Sequence, residues 1–247
     1  MITKEHGDKN NPVVVLIHGG GLSDWMWQPQ IDALQNDYYV ITVVLDGHGE
    51  AYETTFDSIE ASARQIIAYI GQNFGGRVFA ICGLSIGAQI TVEILSRQYN
   101  IAQKAIIESA MVIPMKHMTG ITKSMVGLSY PLAKRRWFAK LQAKQMYIPD
   151  TMFDHYFTDS AKITKRSLLN LILSNARYAL PKEFINNRAD VLAMCGSQEY
   201  AVMKKSTIEI HQTALKGQLL IVPDCGHGVS IKSPDNYIEL IKEFFVR

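Results

Sequence analysis

The pentapeptide Gly83-Leu84-Ser85-Ile86-Gly87 constrains this chain more than any other stretch. It lies where an apolar run, Val78–Leu84, ends and a helical pattern, Ile86–Tyr99, begins. A serine at so sharp a strand-to-helix turn projects its hydroxyl out of the sheet. Glycine on either side leaves room where the backbone approaches itself and the next helix. The helix N-terminus that follows favours developing negative charge. These features imply a parallel sheet crossed by helices, with Ser85 as a nucleophile at its carboxyl edge.

The rest of the chain keeps the rhythm that such a sheet requires. Val13–Ile17 is β-branched and apolar on both faces, as befits a strand covered on both sides. Similar runs recur at Tyr39–Leu45, Val78–Leu84, Lys104–Ile107, Val191–Cys195 and Gln218–Val222. Helical patterns fall between most of them: Ile31–Leu34, Ile59–Phe74, Ile86–Tyr99 and, at the end, Tyr237–Phe245. In the second of these, Ile59, Ala63, Ile66, Ile67 and Ile70 share one side. The expected class is therefore α/β, with a mostly parallel, doubly wound sheet. The segment before Val13 has room for one short strand, and His6 reads as part of an N-terminal tail. Met111 to Pro181 breaks the alternation. It contains no convincing strand, and helices are expected around Met115–Val126, Pro131–Met146, Thr151–Phe157 and Ile163–Ala179. Six of the ten methionines fall there: Met111, Met115, Met118, Met125, Met146 and Met152. The expected division is a core of residues 1–110 and 181–247 with a helical lid over residues 111–180.

A nucleophilic serine needs a base, an acid to orient that base, and donors for the oxyanion. Of the seven histidines, His227 alone sits in a Gly-rich turn, Cys225-Gly226-His227-Gly228, between the last strand and the last helix. That turn belongs to the same sheet edge as Ser85. His18 and His48 lie in early loops, His117 and His155 in the helical insertion, and His211 inside a helix. The acid is read as Glu199, the one acidic residue in Gly196-Ser197-Gln198-Glu199-Tyr200. Glu108 ends its own strand and is a rival. Asp224 shares the tight His227 loop, and Asp190 lies at the wrong sheet edge. The oxyanion donors are expected to be the backbone N–H groups of Ile86 and, from His18-Gly19-Gly20-Gly21, of Gly20. Trp25 and Trp27 read first as packing for that loop. Gly21, Trp25, Met118 and Met125 are the candidates for lining a substrate pocket.

The chain resembles the α/β-hydrolase superfamily, in its lidded small esterase, lactonase and C–C hydrolase branch. His18-Gly19-Gly20 resembles the family's oxyanion loop, and Asp46-Gly47-His48-Gly49 a shortened form of its D-x-x-G-H-G turn. Gly83–Gly87 resembles its nucleophile elbow, and Gly226-His227 its histidine loop. The family's usual Asp in a G-x-x-D turn is Glu199 here, a variation some members share. The resemblance implies a serine hydrolase of a small ester, thioester or lactone with an apolar acyl part. Its alternatives are C–C bond hydrolysis or a cofactor-free lyase reaction on the same triad, or a ligand receptor that turns over slowly.

Composition narrows the partners. A formal net charge of +2, with no basic stripe, argues against a nucleic-acid or membrane partner. No ligand cluster suggests a metal, and no cofactor is expected. Lys134-Arg135-Arg136, with Lys140 and Lys144, reads as a solvated helix face. The three cysteines, Cys82, Cys195 and Cys225, read as core thiols. The N-terminus lacks a signal-peptide pattern, so a cytoplasmic protein with a small-molecule substrate is expected. The oligomeric state is not legible.

Overall fold

The computed structural model describes residues 1–115, 126 and 130–247. Seven strands form one sheet: β1 (Ile2–His6), β2 (Val13–Ile17), β3 (Tyr39–Val44), β4 (Val78–Leu84), β5 (Ala102–Glu108), β6 (Asp190–Gly196) and β7 (Gly217–Val222). Their spatial order is β1-β3-β2-β4-β5-β6-β7. All neighbours are parallel except β1, which pairs antiparallel with β3, Ile2 opposite Val44. His6 is the last residue of β1 rather than part of a tail. Its strand is half polar because it lies at the sheet edge, which is why the apolar pattern does not reveal it.

Nine helices complete the described chain: α1 (Gln28–Leu34), α2 (Ile59–Phe74), α3 (Ile86–Arg97), α4 (Arg136–Gln145), α5 (Phe153–Lys162), α6 (Lys165–Arg177), α7 (Ala201–Thr213), α8 (Val229–Lys232) and α9 (Pro234–Val246). Side chains alternate across the sheet. Val15, Ile17, Ile41, Ile81, Ile107 and Val191 face α2 and α3. Val14, Leu16, Val40, Cys82, Ile106 and Leu192 face α1 and α9. The chain is thus wound on both faces, as its strand–helix alternation requires. In α2, Ser58 caps the first turn by accepting from Ala61 N, and Gly75 ends the helix at φ 62°. Its Ile59, Ile66 and Ile70 are fully buried, each contributing about 1.5–3 kcal/mol.

Between β5 and β6 the described regular elements are all helical, with no strand among them. The expected helix over Pro131–Met146 is broken: Arg135 is extended, and α4 starts at Arg136. Arg136 pairs with Asp154 and lies over the rings of Phe153 and Phe157, docking α4 on α5. Thr164 caps α6 by accepting from Ser167 N, which sets that helix's start. Met111, Met146 and Met152 serve packing. The expected Met115–Val126 helix, with His117, Met118 and Met125, falls largely outside the described residues. Among the described residues, no helix is long and apolar enough to cross a membrane.

Candidate active site

β4 ends at Leu84 and α3 begins at Ile86, so Ser85 makes the whole reversal, at φ 57° and ψ −115°. For a residue with a side chain that conformation costs about 1–3 kcal/mol. Neighbouring backbone holds it: Ser85 N donates to Glu108 O at 2.8 Å, and Gln89 N donates to Ser85 O at 3.0 Å. The flanking glycines are obligatory. A Cβ on Gly83 would stand 2.3 Å from Gly87 O, and one on Gly87 would stand 2.3 Å from Ile17 O. Ser85 itself remains partly exposed.

The His18–Gly21 loop leaves β2 beside β4, where Ile17 pairs with Gly83. His18 is fully buried. Its Nε2 accepts from Leu45 N at 3.1 Å, so Nδ1 carries the proton and donates to Gly19 O at 2.8 Å. Burial, with the neighbouring His48, pushes the His18 pKa down to about 3, and burial pushes His48 down to about 4. Both rings are neutral braces for the loop at ordinary pH. Neither Gly20 N–H nor Ile86 N–H donates to a backbone carbonyl among the described residues. For Ile86 this is the ordinary state of a first-turn helical N–H. Leu171, on α6, presses against Gly20, 3.1 Å from where a Cβ would stand.

Glu199 and His227 come together from two adjacent turns. His227 Nδ1 lies 2.9 Å from Glu199 Oε2. The Glu199 carboxylate is buried, whereas 39% of the His227 side chain is exposed. Glu199 Oε1 accepts from Ser109 Oγ and from Gly196 N, the latter at 3.2 Å. Burial alone would raise the Glu199 pKa. The bond and charge of His227, then the Ser109 and Gly196 bonds, outweigh it and hold the carboxyl below its ordinary range. The turns themselves are locked: Gln198 N donates to Cys225 O at 2.8 Å, and Asp224 N to Ser197 Oγ at 3.1 Å. A Cβ on Gly196 would stand 2.1 Å from Cys225 O. Among the described residues, no hydrogen bond joins Ser85 to His227.

One cavity reaches Glu199 and His227, a second adjoins it, and Ser85 lines neither. The first, about 840 Å³, is lined by His227 and Glu199 with Tyr147, Tyr200 and Met203. The other, about 780 Å³, runs along α4 and the turn Tyr147–Asp150 and shares Leu141, Lys144 and Tyr147 with the first. Gly21 and Trp25 line neither. Gly21 has open space around it at φ 78°, and Trp25 Nε1 donates to Asp159 Oδ2 at 3.0 Å, tying the loop after β2 to α5. Met118 and Met125 lie outside the described residues. Glu108 does not reach His227; its carboxyl bonds to Ser230 N instead. Among the described residues, neither Asp224 nor Asp190 forms a hydrogen bond or ion pair with the imidazole, and Asp190 pairs with Lys104 and Lys216. Sequence patterns missed Ser109 and Tyr147, both at φ 57°. Ser109 follows the rival acid Glu108 directly, and that position at the sheet edge was the available signal.

The profile of the alpha/beta hydrolase family matches residues 14–240. The chain belongs to that family. One relative of this α/β hydrolase is the pimeloyl-[acyl-carrier protein] methyl ester esterase of Nitrosomonas europaea, 20% identical over 93% of this chain and 94% of the esterase. Among solved structures, the enol-lactonase of Burkholderia xenovorans superposes with a TM-score of 0.82 at 18% identity, over 100% of this chain and 96% of the lactonase. A thermophilic esterase of Thermogutta terrifontis superposes with a TM-score of 0.78 at 15% identity, over 99% of this chain and 92% of its own. At these identities the structural matches establish the fold.

Proposed function

We propose that this α/β hydrolase cleaves a small ester, thioester or lactone with an apolar acyl part, through an acyl-enzyme on Ser85. The observation that carries the reading is the 2.9 Å contact between Glu199 and His227, at the same sheet edge as the strained Ser85. The methyl ester and enol-lactone substrates named for the relatives support the substrate class. Ser85 Oγ attacks the carbonyl carbon as His227 Nε2 takes the hydroxyl proton. Glu199 holds the Nδ1–H tautomer and balances the imidazolium. The N–H groups of Ile86 and Gly20 receive the oxyanion. His227 then protonates the departing oxygen or sulfur. Water, deprotonated by His227, attacks the acyl carbon and frees Ser85 and the acid. The Ser85–His227 contact closes when substrate binds, a common difference between free and loaded sites.

The segment 111–180 acts in this reading as a lid. Leu171 against Gly20, and Leu141 with Tyr147 around the His227 cavity, support that role. The test is a panel of chromogenic esters, thioesters and lactones of graded chain length. The expected result is product released well beyond one equivalent of enzyme. A stall near one equivalent would favour a slow-turnover receptor.

A further inference from the structure

Beneath the turn that carries His227 lies a carboxyl group that this mechanism leaves unused. Glu108 ends β5 and is fully buried, paired in register with Leu84 and Met194. Its Oε1 accepts from Ser230 N at 3.1 Å. Ser230 stands three residues past His227, in the first turn of α8, which Gly228 opens at φ 104°. Gln30, from α1, grips the same residue from its other side, donating to Ser230 O at 3.0 Å. The surroundings are polar yet sealed. Glu108 Oε2, Gln30 Oε1, Ser230 Oγ, Tyr237 OH and Trp27 Nε1 are all buried without a hydrogen-bond partner among the described residues. Stability alone does not favour a carboxyl here, since an apolar or amide side chain would fill the volume without the desolvation penalty. What the carboxyl does is hold backbone, and the backbone it holds is that of the histidine turn.

We propose that Glu108 is a positioning residue for His227: its carboxylate anchors Ser230 N–H and so fixes, from below, the turn whose imidazole Glu199 fixes from the side. The proposal rests on the reading of Ser85, Glu199 and His227 given above. The titratable groups that face Glu108 are His227 and Cys225 in the turn after β7, Glu199 after β6, Cys82 on β4 and Tyr237 on α9. Burial pushes the Glu108 pKa up to about 7, with the Ser230 N–H bond and the His227 charge pulling down and Glu199 pushing further up. Glu108 therefore changes charge in the pH range where a histidine base works. Charged, it accepts the Ser230 N–H strongly and favours the imidazolium. Protonated, it loosens its hold. The wild-type rate should accordingly rise with pH through two coupled deprotonations, those of His227 and Glu108.

The experiment compares wild type with Glu108→Gln, which keeps the shape and an acceptor oxygen but not the charge. In NMR titrations from about pH 5 to 9, the wild-type His227 imidazole should report a second transition near pH 7 that Glu108→Gln lacks, with His155 and His211 unchanged. With an ester that wild type hydrolyses, the variant should lose about tenfold to a hundredfold in kcat with little change in KM. The acid limb of its kcat/KM profile should fall from two protons to one. His227 signals that superpose in the two proteins across that range would overturn the proposal, as would an unchanged pH profile, and either result would leave the Ser85 mechanism standing. A wild type that fluorophosphonate does not label would overturn the Ser85 reading instead, and the NMR comparison then decides the role of Glu108 alone. A melting curve for the variant establishes that it is folded.

Discussion

Ser85 holds a conformation that glycine would adopt freely, and this separates its chemistry from its contribution to stability. Ser85→Ala keeps the strain and should retain the fold while losing on the order of a million-fold in turnover. Ser85→Gly should lose turnover equally but gain on the order of 1 kcal/mol in stability, read as a raised Tm. A Gly variant no more stable than the Ala variant would show that the turn is unstrained. The two buried glutamates give opposite pH signatures. The Glu199 pKa is held below its ordinary range, so its contribution to stability is complete at neutral pH and is lost as pH falls through the folded-state value. Glu108 is raised from 4.5 to about 7, so the folded state binds a proton that the unfolded chain releases. Stability falls as pH rises between those values and stays lower above them, by on the order of 3 kcal/mol. Glu108→Gln should therefore gain in Tm relative to wild type between about pH 5 and 8. A constant difference across that range would contradict the assigned shift.

Among the elements, the turns after β6 and β7 form one unit, because Gly196 lets Cys225 O approach within van der Waals distance of the backbone. Gly196→Ala should push the turns apart, cost about 1–3 kcal/mol and lower kcat more than it alters KM. Normal kinetics in a folded Gly196→Ala protein would show the turns to be independent. The interior strands, and the helices that cover them, were legible because burial on both faces leaves long apolar or evenly periodic runs. β1 was legible only as room for one short strand before Val13, without bounds, because an edge strand such as Ile2–His6 needs no apolar run. The break at Arg135 was not legible, because it accompanies the Arg136 contacts with Asp154, Phe153 and Phe157, partners far along the chain. Position in the strand–helix order pointed to Ser85, Glu199 and His227. Ser109 was invisible because its hydroxyl meets Glu199 only after β5 and β6 pair.

In the whole molecule, the winding order of the strands reverses at β2, between β3 on one side and β4 on the other. The His18–Gly21 loop and Ser85 therefore leave adjacent strand ends, in the crevice where open α/β sheets bind ligands. The turns bearing Glu199 and His227 leave the same edge farther along the sheet, and Leu171 of α6 reaches Gly20 while Leu141 of α4 lines the His227 cavity. Hydrogen bonds from core loops to α5 and α6, Trp25 Nε1 to Asp159 Oδ2 and Phe56 N to Ser167 Oγ, hold the two parts in register. The measurement that tests the account most directly is intact-mass analysis after reaction with a fluorophosphonate. Wild type should gain one adduct, mapped by peptide digestion to Ser85. Ser85→Ala should gain none, and Glu199→Gln should react far more slowly. An adduct on another residue, or Ser85→Ala labelled at the wild-type rate, would contradict the account.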